Sequence, residues 1–194
     1  MTLVCVRGRA LNRSGGESYP PAMVRVRKGR IYLVGFMGSG KSTVGGLLAR
    51  ELGYRFVDLD SEIERMRGLT VAEIFEREGE QEFRRLEALA LRDSSSRTDL
   101  VLATGGGTLT RWENRDFIQR TGISVWLDAP LETMLERARH GARRPLLSTP
   151  ERMAALLDER LAGYRGADLR ADAGSSPAEA VARHIAAQIG SLTG

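Results

Sequence analysis

The chain has 194 residues, which suits one domain with a buried core and is short for two. About 42% of the residues are hydrophobic, and no apolar run approaches the roughly 18 residues of a membrane-spanning helix, so the composition predicts a globular protein without a membrane partner. A single cysteine excludes a disulfide framework and favours a cytoplasmic protein, while a net charge of +4 fits anionic ligands but does not predict a nucleic-acid partner.

Residues 1–29 differ in composition from the rest of the chain. They are rich in arginine, poor in acidic residues, and interrupted by a serine–glycine run and by two adjacent prolines. Such a segment has too little patterned apolar surface to build a core of its own. We therefore expect a disordered leader or a start codon assigned too early, with a transit peptide as the alternative, followed by a single domain over residues 30–194.

From residue 30 onward, short apolar runs alternate with segments of helical periodicity. The apolar runs predict strands at 31–34, 54–59, 101–103, 124–127 and near residue 169. The periodic segments predict helices at 44–52, 80–92, 131–139, 153–161 and from residue 177 onward. Strands separated by helices indicate a parallel sheet covered on both faces, so the predicted fold class is α/β, a three-layer sandwich with a short sheet of about five strands.

Two four-residue patterns between the second and third strands predict helix starts. Ser61 with Glu64, and Thr70 with Glu73, both have the spacing of a capping box. In a capping box the hydroxyl and the carboxylate each satisfy a main-chain N–H at the start of a helix. We expect one helix to begin after Ser61 and another after Thr70.

A glycine-rich loop follows the first predicted strand. Residues 35–42, with the sequence GFMGSGKS, match the pattern G-x-x-x-x-G-K-[ST] and lead into an amphipathic helix. Glycines allow main-chain N–H groups to turn inward around a phosphate, and the helix adds the positive end of its dipole. Lys41 is suited to neutralising the β- and γ-phosphates, and the Ser42 hydroxyl to binding Mg²⁺. The loop therefore predicts a site for a nucleoside triphosphate.

Two large classes of phosphate-loop proteins do not fit the rest of the chain. The guanine-reading motif Asn-Lys-x-Asp is absent, because the only lysines are Lys28 and Lys41. Motor-type ATPases end an apolar strand with a metal-binding aspartate, whereas the strand at 101–103 is followed by Thr104. Asp128 does end a strand, but it lies late in the chain, where we expect it to take part in the entry to a helix.

Asp58 and Asp60 follow the second predicted strand. If both lay on the strand, their side chains would point to the same side, since residues two apart share a face. Ligands of open α/β sheets bind at the carboxyl ends of the strands. The pair therefore predicts one carboxylate near the metal and one that accepts a hydrogen bond from a substrate hydroxyl, with helix capping as the alternative for Asp60.

With these motifs in order, the chain resembles the shikimate kinases over residues 31–189. The motifs that carry the resemblance are GFMGSGKS at 35–42, FVDLD at 56–60, GEQEFRRLE at 79–87, ATGGG at 103–107 and RPLL at 144–147. The phosphate loop alone is shared by many families, but the ordered set of five is specific. The resemblance implies a P-loop kinase fold with a mobile lid, and transfer of phosphate from ATP to the 3-hydroxyl of shikimate.

The resemblance also implies roles for individual residues. It implies that Lys41, Asp60 and Arg144 are catalytic, with Arg144 on the lid, and that Ser42 and, through water, Asp58 hold Mg²⁺. The residues implied to bind ATP are Gly38, Ser39, Gly40, Lys41, Ser42, Thr43, Arg139 and Arg144. The residues implied to bind shikimate are Asp60, Phe75, Phe83, Arg84, Gly105, Gly106, Gly107 and Arg160. ATP and shikimate are the expected partners, and the expected assembly is a monomer.

Three of these arginines depend on details of the matching. Arg160 requires a gap to be placed, because the region between Arg144 and Arg160 is slightly short. Arg139 depends on another gap. Arg143 precedes Arg144 and could exchange roles with it, although the proline that follows favours Arg144.

Other functions remain as alternatives. A kinase for another hydroxy acid, such as gluconate, would keep the phosphate loop but has no evident need for Arg84 and Arg160. A nucleotide-binding regulatory module would have lost catalytic residues, yet every expected position is filled. A nucleic-acid-stimulated ATPase would need a patch of aromatic and basic residues, which the sequence does not contain.

Overall fold

The structure is a computed structural model that describes residues 29–140 and 149–193. Its centre is a five-stranded, all-parallel sheet with the strand order β2-β3-β1-β4-β5. The strands are β1 Arg30–Val34, β2 Arg55–Asp58, β3 Leu100–Ala103, β4 Ile123–Asp128 and β5 Leu169–Asp172. The α/β fold class and each of the five predicted strands are confirmed, with ends that differ by one or two residues.

Helices connect the strands, and every predicted helix is present, but α4 at residues 112–121 was not predicted. Within the described residues they are α1 Lys41–Leu52, α2 Leu59–Arg67, α3 Val71–Asp93, α4 Trp112–Thr121, α5 Leu131–His140, α6 Pro150–Arg165 and α7 Ala178–Thr193. Two short 3₁₀ turns, Ser94–Ser96 and Thr108–Thr110, lie after α3 and before α4. None of the described helices is both long enough and apolar enough to span a bilayer.

The two faces of the sheet are buried in separate cores. Along β1, Tyr32 and Val34 pack into the core beneath α2, α3, α4 and α6, while Ile31 and Leu33 pack into the core beneath α1 and α7. Alternate residues of a strand point to opposite faces, so a strand buried on both sides reads as a continuous apolar run. This arrangement confirms the predicted three-layer sandwich.

The start of α2 differs from the prediction. Strand β2 ends at Asp58, and the Asp58 carboxylate caps the helix by accepting hydrogen bonds from the main-chain N–H groups of Asp60 at 3.1 Å and Ser61 at 3.3 Å. The predicted capping box of Ser61 and Glu64 is therefore wrong. The expectation that Asp58 and Asp60 share one strand face is also wrong, because Asp60 lies in the first turn of the helix. The second capping box, Thr70 with Glu73, is confirmed.

Helix α3 contains a break that the sequence marks with a glycine. Gly79 has φ 83° and ψ 170°, a conformation outside the helical range, and it divides the segment into two helical stretches. The second stretch begins at Glu80, where a helix is predicted. This break changes the direction of the helix just before Arg84.

The order of the strands creates a crevice at one edge of the sheet. Strand β1 pairs with β3 on one side and with β4 on the other, so the chain leaves β1 and β3 in neighbouring loops at the carboxyl edge. Asp58 pairs in register with Ala103, which places the end of β2 beside the glycine run at 105–107. Open α/β sheets bind their ligands in this kind of crevice.

The predicted leader lies outside the described residues except for Gly29. Most of the predicted lid, residues 141–148, also lies outside them, and so does Arg144.

Candidate active site

The phosphate loop joins β1 to α1 and has the conformation that its glycines predict. Gly35, Gly38 and Gly40 have φ angles of 143°, 76° and 91°, which lie in the region that favours glycine. A Cβ at Gly38 would overlap the main-chain carbonyl of Met134. The loop is therefore compact and held against α5.

Lys41 directs its ammonium group into this loop. Lys41 Nζ donates hydrogen bonds to the main-chain oxygens of Gly35 at 2.9 Å and Phe36 at 2.7 Å. Ser39, within the loop, is fully buried. The lysine charge is thus placed where the strand turns into the helix, at the positive end of α1, and both features attract phosphate.

Ser42 and Asp58 come together although they are far apart in sequence. Ser42 Oγ donates a hydrogen bond of 2.5 Å to Asp58 Oδ2, while Asp58 Oδ1 is occupied by the cap of α2. Hydroxyl and carboxylate oxygens are the ligands that Mg²⁺ prefers, and Mg²⁺ in kinases is bound by one or two protein oxygens together with water and phosphate. The pair fits a magnesium site of that kind.

Asp60 lies near the metal pair, next to the glycine run. The Asp60 Oδ1 atom would be 3.2 Å from a Cβ added to Gly105, and the Glu87 Oε1 atom would be 2.5 Å from it. Any side chain at position 105 would therefore collide with the Glu87 carboxylate and crowd that of Asp60. Gly105 lets the main chain pass between them, as the glycine run predicts.

Arg84 is held on the opposite side of the same run. Its guanidinium donates to Glu80 at 3.0 and 3.2 Å and to Glu87 at 3.1 Å, and it lies 5.3 Å from the centre of the Phe83 ring. A Cβ at Gly107 would lie 2.6 Å from an Arg84 nitrogen. The arginine is thus fixed on several sides and faces the glycine backbone.

Glu87 is a site residue to which the sequence analysis assigned no role. Its side chain is fully buried. Its Oε2 accepts from Arg84, and its Oε1 accepts a hydrogen bond of 2.7 Å from the Thr108 hydroxyl. The spacing of three residues from Arg84 on a helix could have indicated the pair, since residues at i and i+3 are neighbours on a helix surface.

The two predicted wall residues pack against each other. The rings of Phe75 and Phe83 are 4.7 Å apart and tilted by 37°. Phe83 is buried and Phe75 is partly buried. Both therefore belong to the core on that side of the sheet, and Phe83 also supports the Arg84 guanidinium.

Arg160 reaches the crevice from α6. Its guanidinium lies 5.7 Å from the centre of the Phe36 ring, and one of its nitrogens would be 3.4 Å from a Cβ added to Gly106. The structure thus brings Arg84 and Arg160 to the same glycine run from different helices, as a two-arginine site for an acid requires.

On α5 the structure brings a different arginine to the phosphate loop. Arg137 donates a hydrogen bond of 2.9 Å to the main-chain oxygen of Ala173 and would lie 3.8 Å from a Cβ on Gly40. Arg139 is in the same helix, but its side chain lies outside the described part of the chain. Residues two apart on a helix point in nearly opposite directions, so the sequence alone could not choose between the two arginines.

Asp128, which the sequence analysis expected at a helix entry, is instead paired with Arg170. The Arg170 guanidinium donates to Asp128 Oδ2 at 2.5 and 2.9 Å. This pair joins the ends of β4 and β5.

A phosphate loop, a hydroxyl–carboxylate pair beside it and a two-arginine acceptor site on one sheet edge define a P-loop kinase that acts on a small acidic molecule. Similarity to known proteins agrees with this class and identifies the family. The family model described as shikimate kinase matches residues 37–190. The chain belongs to the shikimate kinase family, whose activity is the ATP-dependent phosphorylation of shikimate.

Relatives and solved structures support this assignment over most of the chain. The chain is 49% identical over 166 residues to the shikimate kinase of Gloeobacter violaceus, covering 82% of this chain and 93% of the relative. It is 48% identical over 159 residues to the shikimate kinase of Geobacter sulfurreducens, covering 80% of this chain and 88% of the relative. A structure of the Acinetobacter baumannii shikimate kinase in complex with shikimate matches with a TM-score of 0.81 and 44% identity, covering 85% of this chain and 94% of that chain.

A gluconokinase structure from Sinorhizobium meliloti shares the fold, with a TM-score of 0.54 and 22% identity. At that level of identity the likeness concerns the fold alone.

Proposed function

We propose that the described crevice transfers the γ-phosphoryl group of ATP to the 3-hydroxyl of shikimate, with the phosphate loop and the glycine run as its two halves. The observation that carries the proposal is the convergence on one sheet edge of Lys41, Asp60 and two arginines. A molecule with a carboxylate at one end and a hydroxyl at the other can bridge these groups.

The phosphate loop takes the triphosphate. Its main-chain N–H groups, through Gly38, Ser39, Gly40 and Thr43, surround the β-phosphate, and Lys41 moves from its loop carbonyls to the β/γ oxygens. Arg137 lies beside Gly40 and is tied to the chain after β5, so it lines the nucleotide side of the crevice. Arg139 and Arg144 remain predicted contacts.

Ser42 and Asp58 would hold Mg²⁺, with Asp58 acting through water. The cation supplies positive charge that offsets the charge building up on the phosphate oxygens. The 2.5 Å contact between the Ser42 hydroxyl and the Asp58 carboxylate supports this role, because it shows that both oxygens can face one small volume.

Arg84 and Arg160 would bind the shikimate carboxylate. A guanidinium offers paired donors that match a planar carboxylate, which an ammonium cannot do. Gly106 lies beside Arg160, Gly107 beside Arg84 and Gly105 beside Asp60. A small ring can therefore rest on the main chain of this run without meeting a Cβ. Phe75 and Phe83 back this side of the pocket.

Asp60 would accept the hydrogen bond of the 3-hydroxyl. It lies in the first turn of α2, beside Gly105. In a loose phosphoryl transfer the oxygen forms its bond to phosphorus as the bond to ADP breaks, and the hydroxyl proton moves to the acceptor late. Asp60 thus mainly orients the hydroxyl, while Lys41 and Arg144 stabilise the transferring group.

The segment that contains Arg144 would act as a lid that closes over ATP and excludes water, which limits hydrolysis. A monomeric, cytoplasmic enzyme is part of the same proposal. The monomer is supported by a crevice formed within one chain, and the cytoplasmic location by a composition with a single cysteine.

A coupled assay of ADP release tests this function with a panel of acceptors. Shikimate, gluconate and several nucleoside monophosphates are offered at equal concentration with Mg²⁺ and ATP. We expect ADP release with shikimate and background rates with the others. Turnover on gluconate or a nucleotide without turnover on shikimate would contradict the proposal.

A further inference from the structure

Tyr164 lies beneath the glycine run and makes one directed contact with it. It follows Arg160 by four residues on α6, so the two side chains lie on the same face of the helix. The Tyr164 side chain is buried, with 1% of the residue exposed, and its hydroxyl donates a hydrogen bond of 2.5 Å to the main-chain oxygen of Gly106. That carbonyl belongs to the middle residue of the run on which the acceptor would rest.

The phenol is kept neutral and immobile. Burial raises the pKa of Tyr164 to about 12, although the nearby Arg160 acts in the opposite direction through its charge and by hydrogen bonding. The hydroxyl is therefore protonated at every physiological pH and remains a donor. Its ring stacks on Trp126 at 6.2 Å, and Trp126 is covered on another side by the Arg170 guanidinium at 5.1 Å.

Arg84 and Arg160, the two arginines proposed to bind the acid, differ in the charge of the side chains that contact them. Arg84 is flanked by the carboxylates of Glu80 and Glu87, which offset much of its charge. Around Arg160, no carboxylate of the described residues lies within ion-pair distance, and its neighbours are the Phe36 ring and the Tyr164 phenol. A neutral support leaves the full positive charge of Arg160 available to an anion.

We propose that Tyr164 is a positioning residue of the acceptor site, which fixes the Gly106 carbonyl and holds Arg160 beside it without neutralising its charge. The proposal rests on the function proposed above, because it takes the glycine run and Arg160 as the place where the shikimate carboxylate and ring bind. Tyr164 itself does not touch the reacting atoms.

The test is Tyr164→Phe, with Tyr32→Phe as its matched control. Tyr32 is also fully buried and also hydrogen-bonded through its phenol, at 2.8 Å to Thr121 Oγ1, but it lies in β1 with its contact at the far end of α4. Tyr164→Phe loses the phenolic hydrogen bonds with Gly106 and Arg160, and Tyr32→Phe loses the phenolic hydrogen bond with Thr121. Both should lower Tm by about 2–4 °C, as expected for a small loss of stability in a chain of this size.

Only Tyr164→Phe should change the acceptor kinetics. We expect its KM for shikimate to rise by about fivefold, because the Gly106 carbonyl and Arg160 lose a hydrogen-bonded support, with the KM for ATP unchanged. Tyr32→Phe should leave both KM values unchanged. Unchanged shikimate KM in Tyr164→Phe, or an equal rise in both variants, would overturn the proposal.

A double-variant cycle checks that Tyr164 acts through Arg160. On an Arg160→Ala background the further effect of Tyr164→Phe on shikimate KM should shrink, since residues that act together are not additive. Full additivity would overturn the coupling. If Arg84→Ala and Arg160→Ala raise the shikimate KM while Tyr164→Phe does not, the positioning role fails and the proposed function stands. Failure of the wild-type chain to phosphorylate shikimate would overturn the proposed function and, with it, the positioning role of Tyr164.

Discussion

At the scale of single residues, the site is built from charges that are each held by a specific partner. Lys41 is held by two loop carbonyls, Arg84 by two glutamates, and the Ser42 hydroxyl by Asp58. Fixed partners lower the cost of ordering long side chains when a ligand binds. Arg84 and the Ser42–Asp58 pair are thus held in place before a ligand binds.

Removal of the Lys41 charge should slow the chemical step. In Lys41→Ala we expect kcat to fall by about 10²- to 10³-fold, because the ammonium acts where negative charge develops on the transferring phosphate. Steady-state ADP release measures this effect. Arg50→Ala, an exposed position in the last turn of the same helix, is the control and should keep the wild-type rate. Near-normal turnover in Lys41→Ala would rule out this role.

Arg84 should affect the acid and not the nucleotide. Arg84→Ala should raise the KM for shikimate by about tenfold or more, the effect of a lost charged hydrogen bond, and leave the KM for ATP unchanged. Arg85→Ala is a close control, since Arg85 is the next residue, is 57% exposed where Arg84 is 15% exposed, and pairs only with Glu82 among the described residues. A loss of ATP affinity with an unchanged shikimate KM would mean that Arg84 is misassigned.

At the scale of elements, helix termini bring the functional groups to the sheet edge. Helix α1 begins with Lys41, α2 begins directly after Asp58, and the break at Gly79 redirects the stretch that carries Arg84. Asp58 serves both the cap of α2 and the Ser42 hydroxyl, one with each oxygen. The Asp58 carboxylate therefore both starts α2 and contributes to the proposed Mg²⁺ site.

The two roles of Asp58 can be separated by Asp58→Asn. Asparagine caps helices about as well as aspartate, so Tm should change little. The loss of charge should weaken the hold on Mg²⁺ and raise the concentration needed for half-maximal rate by several fold. Asp172→Asn is the control, because Asp172 also ends a strand and accepts from two following N–H groups but does not contact Ser42. An unchanged Mg²⁺ dependence in Asp58→Asn would argue against the metal role.

At the scale of the whole molecule, the sequence predicts the fold well because the sheet is buried on both faces. Continuous apolar runs such as residues 31–34 in β1 and the whole of β3 are typical of strands in a parallel sheet when helical segments separate them. The prediction fails at the β2–α2 boundary, where the alternation of Phe56, Val57 and Asp58 gives no sign that the helix begins at the next residue. Asp58 could continue the strand or cap a helix, and the hydrogen bonds from the N–H groups of Asp60 and Ser61 show that it caps the helix. The sequence alone does not reveal these bonds.

In the candidate site, too, the sequence predicts local motifs better than contacts between distant residues. The loop at residues 35–42 and the glycine run could be predicted because their spacing carries the chemistry. Arg137 and Tyr164 could not, since their contacts with Ala173 and Gly106 depend on how separate elements pack. The pairing of Glu87 with Arg84 could be inferred from their spacing on α3, but the contact of Glu87 with Thr108 depends on tertiary packing. These residues complete the crevice from elements that lie far apart along the chain.

The crevice is proposed to transfer a phosphoryl group from ATP to the 3-hydroxyl of shikimate. The most direct measurement is ³¹P and proton NMR of the product formed by the wild-type chain with ATP, Mg²⁺ and shikimate. We expect a phosphate monoester whose phosphorus couples to the proton on carbon 3, formed in equal amount to ADP. Release of inorganic phosphate without a monoester, or a monoester on another hydroxyl, would contradict the proposed transfer.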